Sequence, residues 1–223
     1  MGQNAGDIFR SLKVGSLENL KRFLTIHGLE NCEAARAKGK GVITLTLHLG
    51  AFDLQATALA LLGFSPYIIG TALKDERLNA LLKNYRNAYG AIAIERGKET
   101  VRLFKALKNG GSLAILIDQD TDVQSVFVNF FNRPASTPLG AAMLALRSGA
   151  AVVPMYIYLD DNLRQQMHFL PEIELARTGN DREDIVVNTQ IFTSLAEELI
   201  RKYPEQWVWM HERWRTQPSA EKN

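Results

Sequence analysis

Residues 39–53 read GKGVITLTLHLGAFD, and the fold class follows from them. Residues 42–47 (VITLTL) are β-branched and largely apolar, which is typical of a strand buried on both faces of a parallel sheet. This strand leads directly into His48, and the helix-forming residues 51–62 follow across a turn at Gly50. A buried strand that passes at once into a helix predicts a βα unit.

The same alternation continues along the chain. Further strands are predicted at residues 66–69, 91–94, 113–117, 126–131, 151–159 and 166–175. Further helices are predicted at residues 16–27, 78–89, 98–109, 138–147 and 184–202. Strands separated by helices of about 10–15 residues predict an α/β fold with a mostly parallel (mixed) central sheet flanked by helices on both faces. Since no linker or repeat divides the chain, we expect residues 1–223 to form a single domain.

Composition narrows the function classes. A net charge of +2 gives no reason to expect a nucleic acid partner, and the single cysteine, Cys32, excludes an internal disulfide. Four scattered histidines disfavour a histidine-rich metal site, so no metal is expected. The longest apolar stretch, residues 41–64, carries His48, Asp53 and Gln55 and is therefore a poor membrane span. Nucleotide-binding and serine-hydrolase motifs are missing from the sequence.

His48 and Asp53 are the first candidates for chemistry. His48 lies at the carboxyl end of a strand, where ligands bind in parallel α/β sheets. Across the turn at Gly50, the Asp53 carboxylate is expected to accept a hydrogen bond from one imidazole nitrogen and to leave the other free as a general base. The alternative is a buried histidine bonded to a helix-capping aspartate. The spacing alone favours neither interpretation.

The segment HLGAFD (48–53) is an H-x4-D motif, and the chain resembles the lipid A biosynthesis (lauroyl/myristoyl) acyltransferases within the glycerolipid acyltransferase superfamily. Other segments carry the likeness in the family's order: GKGV (39–42), ERG (95–97), DQD (118–120), FF (130–131), RPA (133–135), AVVP (151–154) and HERWR (211–215). The likeness covers nearly the whole chain. Two features depart from the family: many members carry Glu in place of Asp53, and most begin with a membrane-anchoring hydrophobic segment, whereas residues 1–16 contain no such apolar stretch.

The resemblance implies a glycerol-3-phosphate acyltransferase-like fold and a transfer that needs neither metal nor cofactor. His48, paired with Asp53, would activate a hydroxyl of a lipid or glycolipid acceptor. The hydroxyl would attack an acyl thioester carried by acyl carrier protein or coenzyme A. The expected location is the cytoplasmic face of the inner membrane, with peripheral attachment to the membrane surface. The alternatives are a lysophospholipid acyltransferase and a non-catalytic lipid-binding protein of the same fold.

Four further residues are candidates for substrate binding. Arg96 follows a predicted strand, and its guanidinium suits a phosphate or phosphosugar headgroup; the alternative is a surface arginine paired with Glu99. Asp118, Gln119 and Asp120 follow another strand. We expect this turn to orient Arg96 and the substrate; the two carboxylates would also suit sugar hydroxyls, and a Mg²⁺ site is disfavoured because no third ligand is evident. A helix cap or a plain turn would explain the same residues.

Two other patterns stay open. Lys98, Arg102, Lys105 and Lys108 share one helix face, which suits an acidic carrier protein or anionic headgroups, but a solvated face is the commoner explanation. The three tryptophans near the carboxyl terminus fit either a membrane interface or core packing; they are Trp207, Trp209 and Trp214.

Overall fold

The computed structural model describes residues 2–11, 13–70, 75–95 and 99–218. The helices are α1 (Gly2–Ser11), α2 (Leu17–Leu20), α3 (Leu29–Ala37), α4 (Leu54–Leu61), α5 (Glu76–Asn87), α6 (Thr100–Lys108), α7 (Gly140–Ser148) and α8 (Asp181–Lys202). The strands are β1 (Leu24–His27), β2 (Val42–Thr46), β3 (Tyr67–Gly70), β4 (Ile92–Glu95), β5 (Ser112–Leu116), β6 (Ser125–Phe130), β7 (Arg133–Pro138), β8 (Ala151–Leu159) and β9 (Gln165–Phe169).

Seven strands form one sheet in the order β1-β9-β8-β2-β5-β3-β4. The five strands from β8 to β4 in this order run parallel to one another. Strand β9 is antiparallel to β8, and β1 runs parallel to β9, so the sheet is mixed at one edge. Strands β6 and β7 form a separate antiparallel hairpin. The predicted α/β class and the mostly parallel sheet are therefore confirmed.

The core divides into two apolar layers, one on each face of the sheet. Helices α6, α7 and α8 cover one face, where Leu107, Leu144 and Phe192 pack against strand residues. Helices α3 and α4 cover the other face with side chains such as Cys32 and Leu59. Successive side chains of a buried strand point into the two layers in turn. All five residues of β2 are therefore buried, as its continuous apolar run predicts. Helices therefore lie on both faces of the sheet.

The helix predicted for residues 16–27 is wrong over its second half. The Ser16 hydroxyl caps only the short helix α2, and the chain then forms β1, which pairs in parallel with β9. Pairing with a strand about 140 residues away decides the conformation of this segment, and local periodicity cannot reveal such pairing. The strand predicted for residues 166–175 ends earlier, at Phe169.

The burial of His168 leads us to expect that the stability of the fold falls at acidic pH. Its ring stacks against those of His27 and Tyr156. Burial, together with the neighbouring charges of His27 and Lys202, lowers the pKa of His168 to about 4. Because the unfolded chain binds this proton near pH 6.5, the free energy of unfolding should fall as the pH drops from about 6.5 towards 4. Urea denaturation at pH 7 and pH 5 measures the effect. The His168→Phe variant keeps the stacked ring and should show a smaller difference; an unchanged difference would contradict the assignment.

Candidate active site

His48 and Asp118 meet because β2 and β5 are neighbouring parallel strands. Thr46 lies opposite Leu116 in the register of this pair. His48 and Asp118 each stand two residues beyond these positions, so both side chains emerge side by side at the carboxyl edge of the sheet. The imidazole Nδ1 of His48 lies 2.8 Å from Oδ1 of Asp118.

The Asp118 carboxylate is buried and accepts three hydrogen bonds from residues that the structure describes. Its side chain is 1% exposed, against 17% for His48. Oδ1 accepts from the His48 imidazole, and Oδ2 accepts from the backbone N–H of His48 at 2.8 Å and from the indole N–H of Trp207 at 2.7 Å. Three donors around one buried carboxylate fix its orientation and favour its charged form.

These contacts decide which nitrogen of His48 is available for chemistry. Burial raises the pKa of Asp118, but the charge of His48 and the hydrogen bonds from His48 and Trp207 outweigh it and hold the pKa below its usual value. Because Asp118 is therefore ionised, Nδ1 of His48 carries the proton and donates it. Nε2 is left with a free lone pair, which is the arrangement of a general base oriented by a carboxylate. The ring of Phe52 packs against this imidazole, with the ring centroids 4.8 Å apart.

The predicted hydrogen bond between Asp53 and His48 is wrong. Asp53 is the N-cap residue of α4, and its carboxylate lies 3.4 Å from the guanidinium of Arg86 in α5. The backbone of Asp53 is already helical, so its side chain follows the helix instead of returning to the strand end. The turn does depend on Gly50, which has φ +56; a Cβ there would lie 2.6 Å from the carbonyl oxygen of Ile157.

Asp120 is also buried, and its partners come from the end of the chain. Its carboxylate accepts from the backbone N–H and the hydroxyl of Thr216, at 2.7 and 3.1 Å. Its backbone N–H donates to Nε2 of His211 at 2.8 Å. Burial, followed by the charge of His48, lowers the pKa of His211. The hydrogen-bond partners described for Asp118 are thus His48 and Trp207, and those for Asp120 are His211 and Thr216.

Of the remaining residues predicted to bind substrate or a partner, some lie within the described part of the chain and some lie outside it. Gln119 is partly exposed between the two buried aspartates. Arg96 and Lys98 lie outside the described residues, so their proposed contacts stay predictions. Arg102 pairs with Glu99 at 2.5 Å, and its guanidinium also stacks over Tyr67. Within the described ranges, no group of three or more His, Cys, Asp or Glu side chains is arranged to hold a metal ion.

The tryptophans separate into different environments. Trp207 is buried and bonds Asp118, whereas Trp209 is 54% exposed and lies next to Met210, which is 76% exposed. Trp214 packs partly buried against Phe130. The sequence interpretation gave neither Trp207 nor His211 a place in the candidate site. His211 begins the segment HERWR (211–215), which carries part of the family likeness, and Trp207 stands in the tryptophan-rich stretch just before it.

The fold and the site define an α/β protein that presents a carboxylate-oriented histidine at the carboxyl edge of a parallel sheet. The chain belongs to the bacterial lipid A biosynthesis acyltransferase family, whose sequence profile matches residues 2–216. The family resemblance drawn from the sequence motifs is thereby confirmed.

Curated relatives agree with this placement. The chain is 25% identical over 194 residues to a phosphatidylinositol mannoside acyltransferase of Mycobacterium tuberculosis, which covers 85% of this chain and 59% of the relative. It is 25% identical to a lipid A biosynthesis acyltransferase of Haemophilus influenzae, over 94% of this chain and 65% of the relative. It is 26% identical to the lipid A biosynthesis lauroyltransferase of Escherichia coli, over 90% of this chain and 65% of the relative. The chain thus spans about three-fifths of the length of these relatives.

None of the helices in the part of the chain that the structure describes combines the length and the apolar character needed to cross a bilayer.

Proposed function

We propose that this chain transfers a fatty acyl group from an acyl thioester to a hydroxyl of a lipid or glycolipid acceptor, as an O-acyltransferase of the lipid A biosynthesis type. The observation that carries the proposal is the His48–Asp118 pair at the carboxyl edge of the sheet, beside an apolar cavity. Membership of the family supports the same reaction class. Both the lipid A enzymes and the phosphatidylinositol mannoside enzyme among the relatives are named for glycolipids, which favours a glycolipid acceptor.

In this mechanism Nε2 of His48 removes the proton from the acceptor hydroxyl. The oxygen attacks the thioester carbonyl carbon, so that a C–O bond forms and a tetrahedral intermediate develops. The C–S bond then breaks, and the leaving thiolate takes the proton back from Nε2. Asp118 stabilises the imidazolium that exists between these two transfers, because its carboxylate already bonds Nδ1–H. His48 and Asp118 are the groups of the chain that carry out the proton transfer between the acceptor hydroxyl and the leaving thiolate.

The acyl chain would occupy an apolar cavity of about 370 Å³ between the sheet and helices α6 and α7. Leu116 lines this cavity two residues before Asp118, and Val123 lines it five residues after, so one segment borders both the cavity and the base. The other apolar lining residues are Ile69, Ile94, Leu103, Ile115, Pro138, Leu139, Met143 and Leu144. A mainly apolar lining fits a hydrocarbon chain, and Glu99, Thr100 and Gln124 add polar groups to it.

Gly140 offers a direct test of the cavity. It lines the cavity as the first residue of α7, and a Cβ built there meets no atom within 4 Å. A Gly140→Met side chain therefore has room to enter the cavity, and we expect the preferred acyl donor to become shorter by several carbons. Competition between thioesters of graded chain length, read by product mass, measures the shift. Gly6→Met, at another glycine with open space, serves as the control. An unchanged preference in Gly140→Met would place the acyl chain elsewhere.

The acceptor headgroup and the donor carrier are assigned by chemistry alone. Arg96 is proposed to bind an anionic phosphate or phosphosugar group, since a guanidinium bonds such groups through two parallel hydrogen bonds. The donor is an acyl carrier protein or coenzyme A thioester, and neither a cofactor nor a metal is proposed.

Incubating the purified chain with each donor and with glycolipid or lysophospholipid acceptors, followed by mass spectrometry of the lipids, tests the proposal. Bound lipid without thioester consumption would favour a binding protein.

We further propose peripheral attachment at the cytoplasmic face of the inner membrane. Trp209 and Met210 are exposed in the segment that follows α8, and this segment reaches the carboxyl edge of the sheet where Trp207 bridges to Leu49. Exposed tryptophan and methionine beside a lipid-binding edge suit the bilayer interface. The alternative contact is the basic face of α6, where Arg102, Lys105 and Lys108 are exposed.

Vesicle binding distinguishes these two contacts. If Trp209 and Met210 insert, binding to vesicles should persist as the ionic strength rises, because apolar insertion is not screened by salt. The Trp209→Ser variant should then lose most of the binding in a co-sedimentation assay. Binding that disappears at high salt and survives in Trp209→Ser would assign the contact to the basic helix face instead.

A further inference from the structure

The segment that follows α8 returns to the active-site edge and contacts both loops that carry the catalytic pair. The backbone N–H of Val208 donates to the carbonyl of His48 at 3.1 Å, and the N–H of Gly50 donates to the carbonyl of Gln206 at 3.0 Å. On the other side, the indole of Trp207 bonds Asp118 and the imidazole of His211 bonds the backbone of Asp120. Residues 206–216, named here the C-terminal clasp, therefore hold the base and its carboxylate from one continuous piece of chain.

The clasp is anchored by a buried guanidinium. Arg213 is 1% exposed, and it donates to the carbonyl of Ser136 at 2.6 Å and to the hydroxyl of Thr137. Burial lowers the pKa of Arg213, while the carboxylates of Asp118 and Asp120 act against this shift. Charged or titratable groups that face the His48–Asp118 pair include Asp120, His211 and Arg213. Truncating such a buried charge is unsuitable as a test, because it would disturb folding.

We infer that Trp207 and His211 are positioning residues for the transfer reaction. The hydrogen bond from Trp207 determines how strongly Asp118 accepts the Nδ1–H of His48. The hydrogen bond to His211 fixes the turn that carries Asp118. This inference rests on the proposed function of His48 as the base. Residues near the end of the chain would then set the proton affinity and orientation of the His48 imidazole, in addition to covering the core.

The effect of Trp207 has a definite sign. Its N–H shares Oδ2 of Asp118 with the backbone of His48, and it withdraws negative charge from the carboxylate. Without this bond, Asp118 becomes a stronger acceptor for Nδ1–H and stabilises the imidazolium more. The acid limb of the profile of kcat/KM against pH should therefore move to higher pH, by about 0.5 to 1 unit, in Trp207→Phe.

The effect of His211 depends on an accepting atom. Its Nε2 receives the Asp120 N–H, so the ring is neutral with its proton on Nδ1. A glutamine side chain at this position also carries an accepting oxygen. We therefore expect His211→Gln to keep kcat within about threefold of the wild type, while His211→Leu loses about tenfold or more with KM little changed, because the orphaned N–H loosens the turn.

Trp214→Phe supplies a matched control for Trp207→Phe. It removes an indole of the same size from the clasp, but the N–H of Trp214 has no hydrogen-bond partner among the described residues. The titration of His48, followed by NMR with labelled histidine, should shift upward in Trp207→Phe and stay at the wild-type value in Trp214→Phe. Equal titration curves in all three proteins would overturn the inference for Trp207, and equal losses in His211→Gln and His211→Leu would overturn it for His211.

The NMR titration needs no turnover, so it separates this inference from the proposed function. A shifted titration in a protein that transfers no acyl group would leave the positioning of the imidazole standing and refute the reaction. If Trp207→Phe does not fold, the two His211 variants still decide the claim through their difference in kcat.

Discussion

His48→Ala should lower the rate of acyl transfer by at least about 10²–10⁴-fold, because the proton of the acceptor hydroxyl would have no group to receive it. The fold should survive, since the imidazole is partly exposed and its backbone bonds are independent of the side chain. Circular dichroism and a urea unfolding curve verify the fold of the variant. Turnover is measured as ester formation with thioester donor and lipid acceptor. A folded His48→Ala protein with near-native turnover would exclude His48 as the base.

Asp118→Asn is expected to be nearly as damaging, with a loss of up to about 10⁴-fold in kcat. An asparagine can present its amide N–H₂ to Nδ1 of His48, which would force the proton onto Nε2 and remove the free lone pair. The variant also removes the charge that stabilises the imidazolium. The change conserves size, so the buried position remains filled.

Asp53→Asn is the matched comparison for Asp118→Asn. It makes the same chemical change in the aspartate of the H-x4-D motif, but leaves the bond between His48 and Asp118 in place. The pair of Asp53 with Arg86 is long and partly exposed, so we expect a smaller loss, on the order of tenfold. A larger loss in Asp53→Asn than in Asp118→Asn would return the orienting role to Asp53.

The sequence predicts one half of the His48–Asp118 pair better than the other. His48 stands out because a buried strand runs directly into it within the family motif. Asp118 stands out equally as a strand-end carboxylate, yet its partner depends on β5 lying beside β2, and the order of strands in a sheet is not encoded in local periodicity. Asp53 is closer in sequence and was therefore assigned to His48, although the helix geometry at its N-cap directs it to Arg86.

The same distinction explains the rest of the fold. Long strands and helices such as β8 and α8 follow from apolar periodicity and caps, because their stability is local and repetitive. Strand β1 and the C-terminal clasp depend on contacts across more than 80 residues, from Leu24 to Gln165 and from Trp207 to Asp118. The three tryptophans look alike in sequence, but only the tertiary structure separates the buried donor Trp207 from the exposed Trp209.

A double-mutant cycle tests most directly whether His48 and Asp118 act as one unit. The rate of acyl transfer would be measured for the wild type, His48→Ala, Asp118→Asn and the protein with both changes. If the carboxylate works only through the imidazole, the double variant should be no slower than His48→Ala alone. Losses that multiply in the double variant would show that the two residues act independently, and would contradict the central assignment of this site.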